Sequence, residues 1–319
     1  MLRLGSDQSR VLGALLVAVL LHLAGTALIE GYSSAFSMRA MLVLASLLAI
    51  ASIGQTLVVI IGGIDLSIPF VIGFANVVTA QLYGGGMDFW LVCGIVLALA
   101  AAIGGLNGLI SSGLGLHPLI VTLGIGTIVQ GSVLLWTGGF PSGSAPASVT
   151  EFVSIGGSVG PVPVPWLVPC FVALAAIVTV ALARTPYGRR LFALGSNPRA
   201  APLALINPVA MWTATFAISA VFAAVTGILL LGFTGSAYGE VGQPYLFQTI
   251  AAVVIGGTAL VGGRGSYLGT VAGALVLTEI NTLLIGLGLQ PSLVQAVLGI
   301  VIVVLVSFYG RDAHVRTTI

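Results

Sequence analysis

Ten apolar runs divide the chain, each near the length that crosses a bilayer. They lie at roughly 11–29, 40–61, 68–83, 89–111, 118–137, 166–183, 208–232, 248–262, 268–286 and 291–308. A spanning helix needs about 20 apolar residues. Hydrocarbon offers no partner to a free backbone N–H or C=O, so only helices and closed barrels satisfy every group internally. Of the 319 residues, 58% are apolar and 6% charged, whereas a soluble domain carries about 25% charge. The expected fold is an all-α polytopic membrane protein of about ten transmembrane helices, forming one domain over 1–319. The third and eighth runs are short, and each abuts a glycine-rich break. Arg3 and Arg10 precede the first run as in a signal peptide. That run is long for a cleaved leader, so it reads as an uncleaved span.

All ten basic residues are arginine. With a cytoplasmic N-terminus, Arg3, Arg10, Arg184, Arg189, Arg190, Arg199, Arg264, Arg311 and Arg316 fall on the inside and only Arg39 falls outside. This bias orients the chain with both termini cytoplasmic. The net charge of +2 argues against a nucleic-acid partner. Cys93 and Cys170 lie in apolar segments with no metal spacing and read as small buried hydrophobes.

Four of the arginines fall between 184 and 199, in the loop 184–207, RTPYGRRLFALGSNPRAAPLALIN. An arginine in hydrocarbon costs about 2.5–3.5 kcal/mol even on the lenient insertion scale, so this loop lies outside the bilayer. Leu191, Phe192 and Leu194 give it a short apolar face. It reads either as a positive-inside anchor or as a surface helix that a soluble partner grips.

Two glycine-rich breaks stand out. In VVIIGGIDLSIPF, Gly62 and Gly63 end a helix, and Asp65 and Ser67 precede Ile68-Pro69. Asp65 or Ser67 suits a helix cap. The same residues suit a hinge whose carboxylate pairs with a cytoplasmic-loop arginine. In VVIGGTALVGGRGSYLG, the residues Gly262, Gly263, Arg264 and Gly265 make a tight turn. It lacks the phosphate-loop spacing, so nucleotide binding there is rejected. The shared VVIIGG and VVIGG hint at an internal echo. Polar residues inside spans mark a candidate solute pathway: Gln55, Asn76, Thr122, Gln130 and Asn281. Glu279 reads as a functional acid or as a hydrogen-bonded group at a helix interface, with no basic partner in any span. The segment 138–165 reads as an outside loop or a docking rim, and SAPASVTEF within it suits a short surface helix.

GGIDLS, HPLIVTLG, TPYGRRLFALGSNPRAA and IAAVVIGGTALVGGRGSYLGT, in that order, resemble the membrane permease subunits of bacterial sugar ABC importers. The likeness is to the ribose, xylose and galactose type, within the branched-chain amino acid/monosaccharide permease family. It implies an inner-membrane subunit that pairs with a second permease, identical or similar. The partners implied are a cytoplasmic ABC ATPase that binds ATP-Mg and a periplasmic protein that delivers the solute. The permease itself would bind no cofactor or metal and would not be an enzyme. By the same resemblance Gly188, Arg189, Arg190, Ala193, Gly195, Asn197, Ala200 and Ala201 lie in the ATPase-coupling loop. Where the family usually continues Arg-Leu-Ser-Gly-Ile, this chain has Pro202-Leu203-Ala204-Leu205-Ile206, and Pro202 is expected to end the coupling helix early. The fifth span has Gln130-Gly131 in place of a frequent Arg-Gly. The competing reading is an ion-coupled secondary transporter, for which Glu279 is the one candidate site.

Overall fold

The computed structural model describes residues 6–309. It contains twelve α-helices: α1 (Ser6–Leu28), α2 (Ala35–Ile60), α3 (Ile68–Gly84), α4 (Phe89–Gly113), α5 (Pro118–Thr137), α6 (Ala147–Val153), α7 (Leu167–Arg184), α8 (Pro186–Ser196), α9 (Pro208–Thr234), α10 (Tyr245–Ile255), α11 (Tyr267–Gly286) and α12 (Pro291–Tyr309). No β-sheet forms among the described residues. Helix α1, α2, α4, α5, α7, α9 and α11 are long and apolar enough to cross a membrane. Shorter apolar helices stand at Ile68–Gly84, Tyr245–Ile255 and, within α12, Ser292–Val301. The chain is a multi-pass membrane protein. Arg3, Arg311 and Arg316 lie outside the described residues.

Helix α2 is the axis of the bundle. Of its most apolar window 94% is buried, against 11% for α1. A helix enclosed on all sides must be apolar all round, and α2 is, apart from Arg39 near its start, Gln55 and a few hydroxyls. The Ser46, Ser52 and Thr56 hydroxyls each donate to the carbonyl four residues back. Helix α9 packs beside it and is the other main core element. Helix α4 lies along α9 at close range because Gly104 and Gly108 sit against the Phe216 and Trp212 carbonyls. A side chain at either glycine would push the two backbones apart.

The eighth run, expected to be short and to end at a glycine break, gives a helix shorter than its apolar length. Its helix is Tyr245–Ile255, 11 residues, or about 16 Å at 1.5 Å per residue. That is about half the ~30 Å hydrocarbon thickness. Gly256 and Gly257 stop it, and residues 256–266 form a turn before α11. The SAPASVTEF segment does carry a short helix, α6, whose Val149 packs against Gly232 of α9. Cys170 is exposed on α7 rather than buried, and Cys93 is half-buried.

Candidate coupling site and solute pathway

Helix α8 is built by its own sequence. Pro186 takes the first helical position, where its missing N–H costs nothing. Thr185 caps the helix, its Oγ1 accepting from the Gly188 N–H at 3.2 Å. The helix stops at Ser196 because Asn197 precedes Pro198 and is driven to an extended conformation, φ −151°, ψ 90°. The early end expected from Pro202 is thus set by Pro198 instead. Pro202 falls inside a separate 3₁₀ turn, Ala201–Ala204.

Two faces result. Gly188, Leu191, Leu194 and Gly195 are buried, whereas Arg189, Arg190, Ala193 and Asn197 are exposed. Residues 189, 193 and 197 follow at intervals of four and share one face. Ala200 is exposed and Ala201 is buried. The eight coupling-loop residues therefore divide into an outward arginine face and an inward glycine face. Gly188 lies on the Leu182 carbonyl at the end of α7. Gly195 lies on the Ile60 carbonyl at the end of α2 and on the Gly263 N–H. Tyr187 ties α8 to α9 through a hydroxyl contact of 2.9 Å with Thr215. Burial pushes the Tyr187 phenol above its ordinary value, with the Thr215 hydrogen bond opposing.

The two glycine breaks meet beneath α8. Gly263 donates to the Ile60 carbonyl at 2.8 Å, and Gly262 packs against the Gly62 backbone. Gly62, Gly262 and Gly263 have φ of +85°, +89° and +74°, a region that disfavours any side chain. Gly63 rests on the Trp212 ring, and Gly265 on Thr258. Arg264 is exposed, and its carbonyl accepts from Ala259.

The VVIIGG/VVIGG echo is structural. Gly62 and Gly63 donate to Val59 and Val58 just as Gly257 and Thr258 donate to Val254 and Val253. Gly257 has φ +83°, and both helices end in the same glycine cap. Arg10 covers the second cap, donating to the Gly257 carbonyl at 3.1 Å.

Asp65 is buried, and its hydrogen-bond partners among the described residues are hydroxyls and an amide, not an arginine. Its Oδ1 accepts from the Ser67 N–H (2.9 Å) and Ser67 hydroxyl (2.6 Å), and its Oδ2 from Ser219 on α9 (2.7 Å). Asn107 on α4 donates to Ser67 Oγ at 2.9 Å. Neither Asp65 nor Ser67 caps α3 with its side chain. The turn is folded into the core between α4 and α9, whereas Arg184, Arg189, Arg190, Arg199 and Arg264 are exposed.

The five pathway candidates do not share one site. Gln55, Asn76 and Thr122 are wholly buried. Asn76 fastens the 235–244 loop, accepting from the Tyr238 N–H at 2.9 Å and donating to the Gly227 carbonyl at 3.3 Å. Thr122 accepts from the Leu66 N–H at 3.0 Å and so joins α5 to the 62–67 turn. Both side-chain ends of Gln55 lack a partner among the described residues. Gln130 and Asn281 line two different cavities.

Glu279 has the basic partner that the sequence did not reveal. His22 of α1 approaches it at 3.1 Å, Nδ1 to Oε1, and the Tyr32 hydroxyl donates to Oε2 at 2.7 Å. Tyr32 belongs to the short α1–α2 connection, so the acid sits near the bundle end opposite α8. It is a hydrogen-bonded group at the α1–α11 interface.

A family model described as the permease component of branched-chain amino acid transport systems matches residues 37–306. The chain belongs to that family. Among curated relatives, the permease is 33% identical over 301 residues to a fructose import permease of Rhizobium meliloti, covering 92% of this chain and 83% of the relative. It is 34% identical over 239 residues to a ribose import permease of Haemophilus influenzae, with 74% and 73% coverage. It is 29% identical over 305 residues to an autoinducer 2 import system permease of Escherichia coli, with 96% and 88% coverage. No solved structure matches the permease. The family identifies the chain as a transport subunit.

Proposed function

We propose that this permease forms the transmembrane pathway of an ATP-binding-cassette importer for a small neutral polyhydroxy solute, a monosaccharide or a close relative. The importer comprises a second permease, a cytoplasmic ABC ATPase that binds ATP-Mg, and a periplasmic substrate-binding protein. The permease sits in the bacterial inner membrane as one domain with both termini cytoplasmic. The names of its relatives support the solute class, and the arginine distribution supports the orientation.

The observation that carries the reading is the seat of α8. Its outward face offers Arg189 and Arg190 to a soluble partner. Its inward face bears, through Gly188 and Gly195, on the ends of α7 and α2 and on the Gly262–Gly263 turn. A displacement of α8 is passed directly to two spans and to the turn before α11, because backbone rests on backbone with no compliant side chain between.

Co-purification of the permease with its ATPase, before and after Arg189→Glu, tests this. The variant is expected to lose the complex and transport-linked hydrolysis, whereas an unchanged complex with unchanged hydrolysis refutes the reading. Solute accumulation by the reconstituted permease under a proton gradient, with no ATPase present, would instead favour an ion-coupled transporter using Glu279 and His22.

A further inference from the structure

At the end of the bundle opposite α8, α3 and α5 diverge around a cavity of about 200 Å³. Drug-sized ligands occupy pockets of ~300–1,000 Å³, so this one suits a single small ring. Its wall combines the Phe70 and Phe74 rings of α3, Gln130 and Thr137 of α5, and Tyr238 and Glu240 of the 235–244 loop. Gln130 makes no side-chain hydrogen bond among the described residues, is half-buried and lines the cavity, so its amide can offer donors and an acceptor to the space. Tyr238 donates to Glu240 at 3.2 Å. The Glu240 carboxylate raises the Tyr238 phenol above its ordinary range, so the phenol keeps its proton.

The site is pre-formed. Asn76 holds the Tyr238 backbone, while Gly239 packs on Gly73 and Gly242 on the Pro69 carbonyl. The 235–244 loop is thereby fastened along α3. Below the cavity, on the α8 side, the Phe70 ring lies against Gly126 of α5. The Thr122–Leu66 bond closes the same seam further down.

We infer that this cavity is a recognition site for a neutral monosaccharide-sized polyol, and that the Phe70–Gly126 contact is the gate beneath it. The inference rests on the transport reading above. Aromatic faces pack against the C–H faces of a sugar ring, while the amide and carboxylate bond its hydroxyls. No arginine lines the space, and the chain has no lysine, so an anionic or phosphorylated sugar would meet Glu240 with no compensating charge. Gate opening requires that α5 move away from α3 and from the 62–67 turn, breaking the Phe70–Gly126 contact and the Thr122–Leu66 hydrogen bond.

The test uses the complete importer in cells lacking their own monosaccharide uptake, with radiolabelled D-ribose and D-fructose as probes. Gln130→Ala and Phe74→Ala are compared with wild type at matched membrane levels. Gln248→Ala, in the cavity that holds Asn281, serves as control. Maximal uptake is expected to fall roughly threefold to tenfold in each cavity variant, the scale of one lost hydrogen bond, with the ATPase complex intact and the control unchanged. If Phe74→Ala fails to accumulate, Gln130→Ala carries the test, since it loses no protein hydrogen bond. Wild-type uptake in Gln130→Ala overturns the site. Failure of the wild-type importer to move either sugar, with its ATPase still bound, overturns the ligand class but leaves the transport reading. Absence of the ATPase complex in wild type overturns both.

Discussion

Replacing Gly195 by alanine adds one methyl group, and the structure fixes where it goes. The new Cβ would fall onto the Ile60 carbonyl and within 2.7 Å of the Gly263 nitrogen. Both obstacles are backbone, so neither can rotate away. Overpacking of this kind costs about 1–3 kcal/mol. Prising Gly263 from Ile60 loses their 2.8 Å hydrogen bond, about 0.5–1.5 kcal/mol more. Alanine returns about 1 kcal/mol of helix propensity. The net is a destabilisation of about 0.5–3.5 kcal/mol, concentrated at the α8 seat. Gly131 on α5 provides the control, because a Cβ there meets nothing within 4 Å, and Gly131→Ala should be neutral or stabilising by up to ~1 kcal/mol. Thermal unfolding in detergent should show Gly195→Ala lowered by several degrees, at roughly 2–4 °C per kcal/mol for a mid-sized domain. Its transport-linked ATP hydrolysis should fall as well. Unfolding and hydrolysis indistinguishable from Gly131→Ala would refute the idea that α8 bears rigidly on α2.

Asp65→Ala removes the acceptor of three hydrogen bonds and should cost about 3 kcal/mol or more, whereas Asp65→Asn retains most of the geometry and should cost clearly less in the same unfolding assay. Gln55→Leu replaces a buried amide that has no partner among the described residues, so its unfolding temperature should be unchanged or higher. A fall of several degrees would mean that Gln55 is satisfied after all. Thr185→Ala deletes the α8 cap and should cost about 1 kcal/mol. That loss should appear as faster amide exchange confined to 185–190.

The elements of the fold were largely legible because bilayer solubility leaves few choices. Apolar runs became helices, and the runs at 118–137 and 208–232 begin where α5 and α9 do, at Pro118 and Pro208. Helix α10 is instructive: its run reads as short and bounded by a glycine break, and Gly256 and Gly257 cap it after 11 residues, shorter still than the run. Both faces of α8 were also readable, from Leu191 and Leu194 against Arg189 and Arg190. Pairings across the bundle were not. Asp65 and Ser219 are 154 residues apart, and His22 and Glu279 are 257 apart. Serine and histidine in apolar runs carry no mark of which helix they will face. The two glycine breaks were each recognisable, but only the folded chain brings Gly62 against Gly262 and sets Gly195 over both. The repeated VVI-Gly-Gly pattern was the one signal of their kinship.

The central claim is that the arginine face of α8 is where the motor takes hold. A photo-crosslinking amino acid at position 190, exposed on that face, measures this directly in intact cells expressing the whole importer. A cross-link to the ATPase, changing in yield between ATP-bound and nucleotide-free states, is the expected result. Cross-linking only to the periplasmic binding protein, or to no importer subunit, would contradict the account.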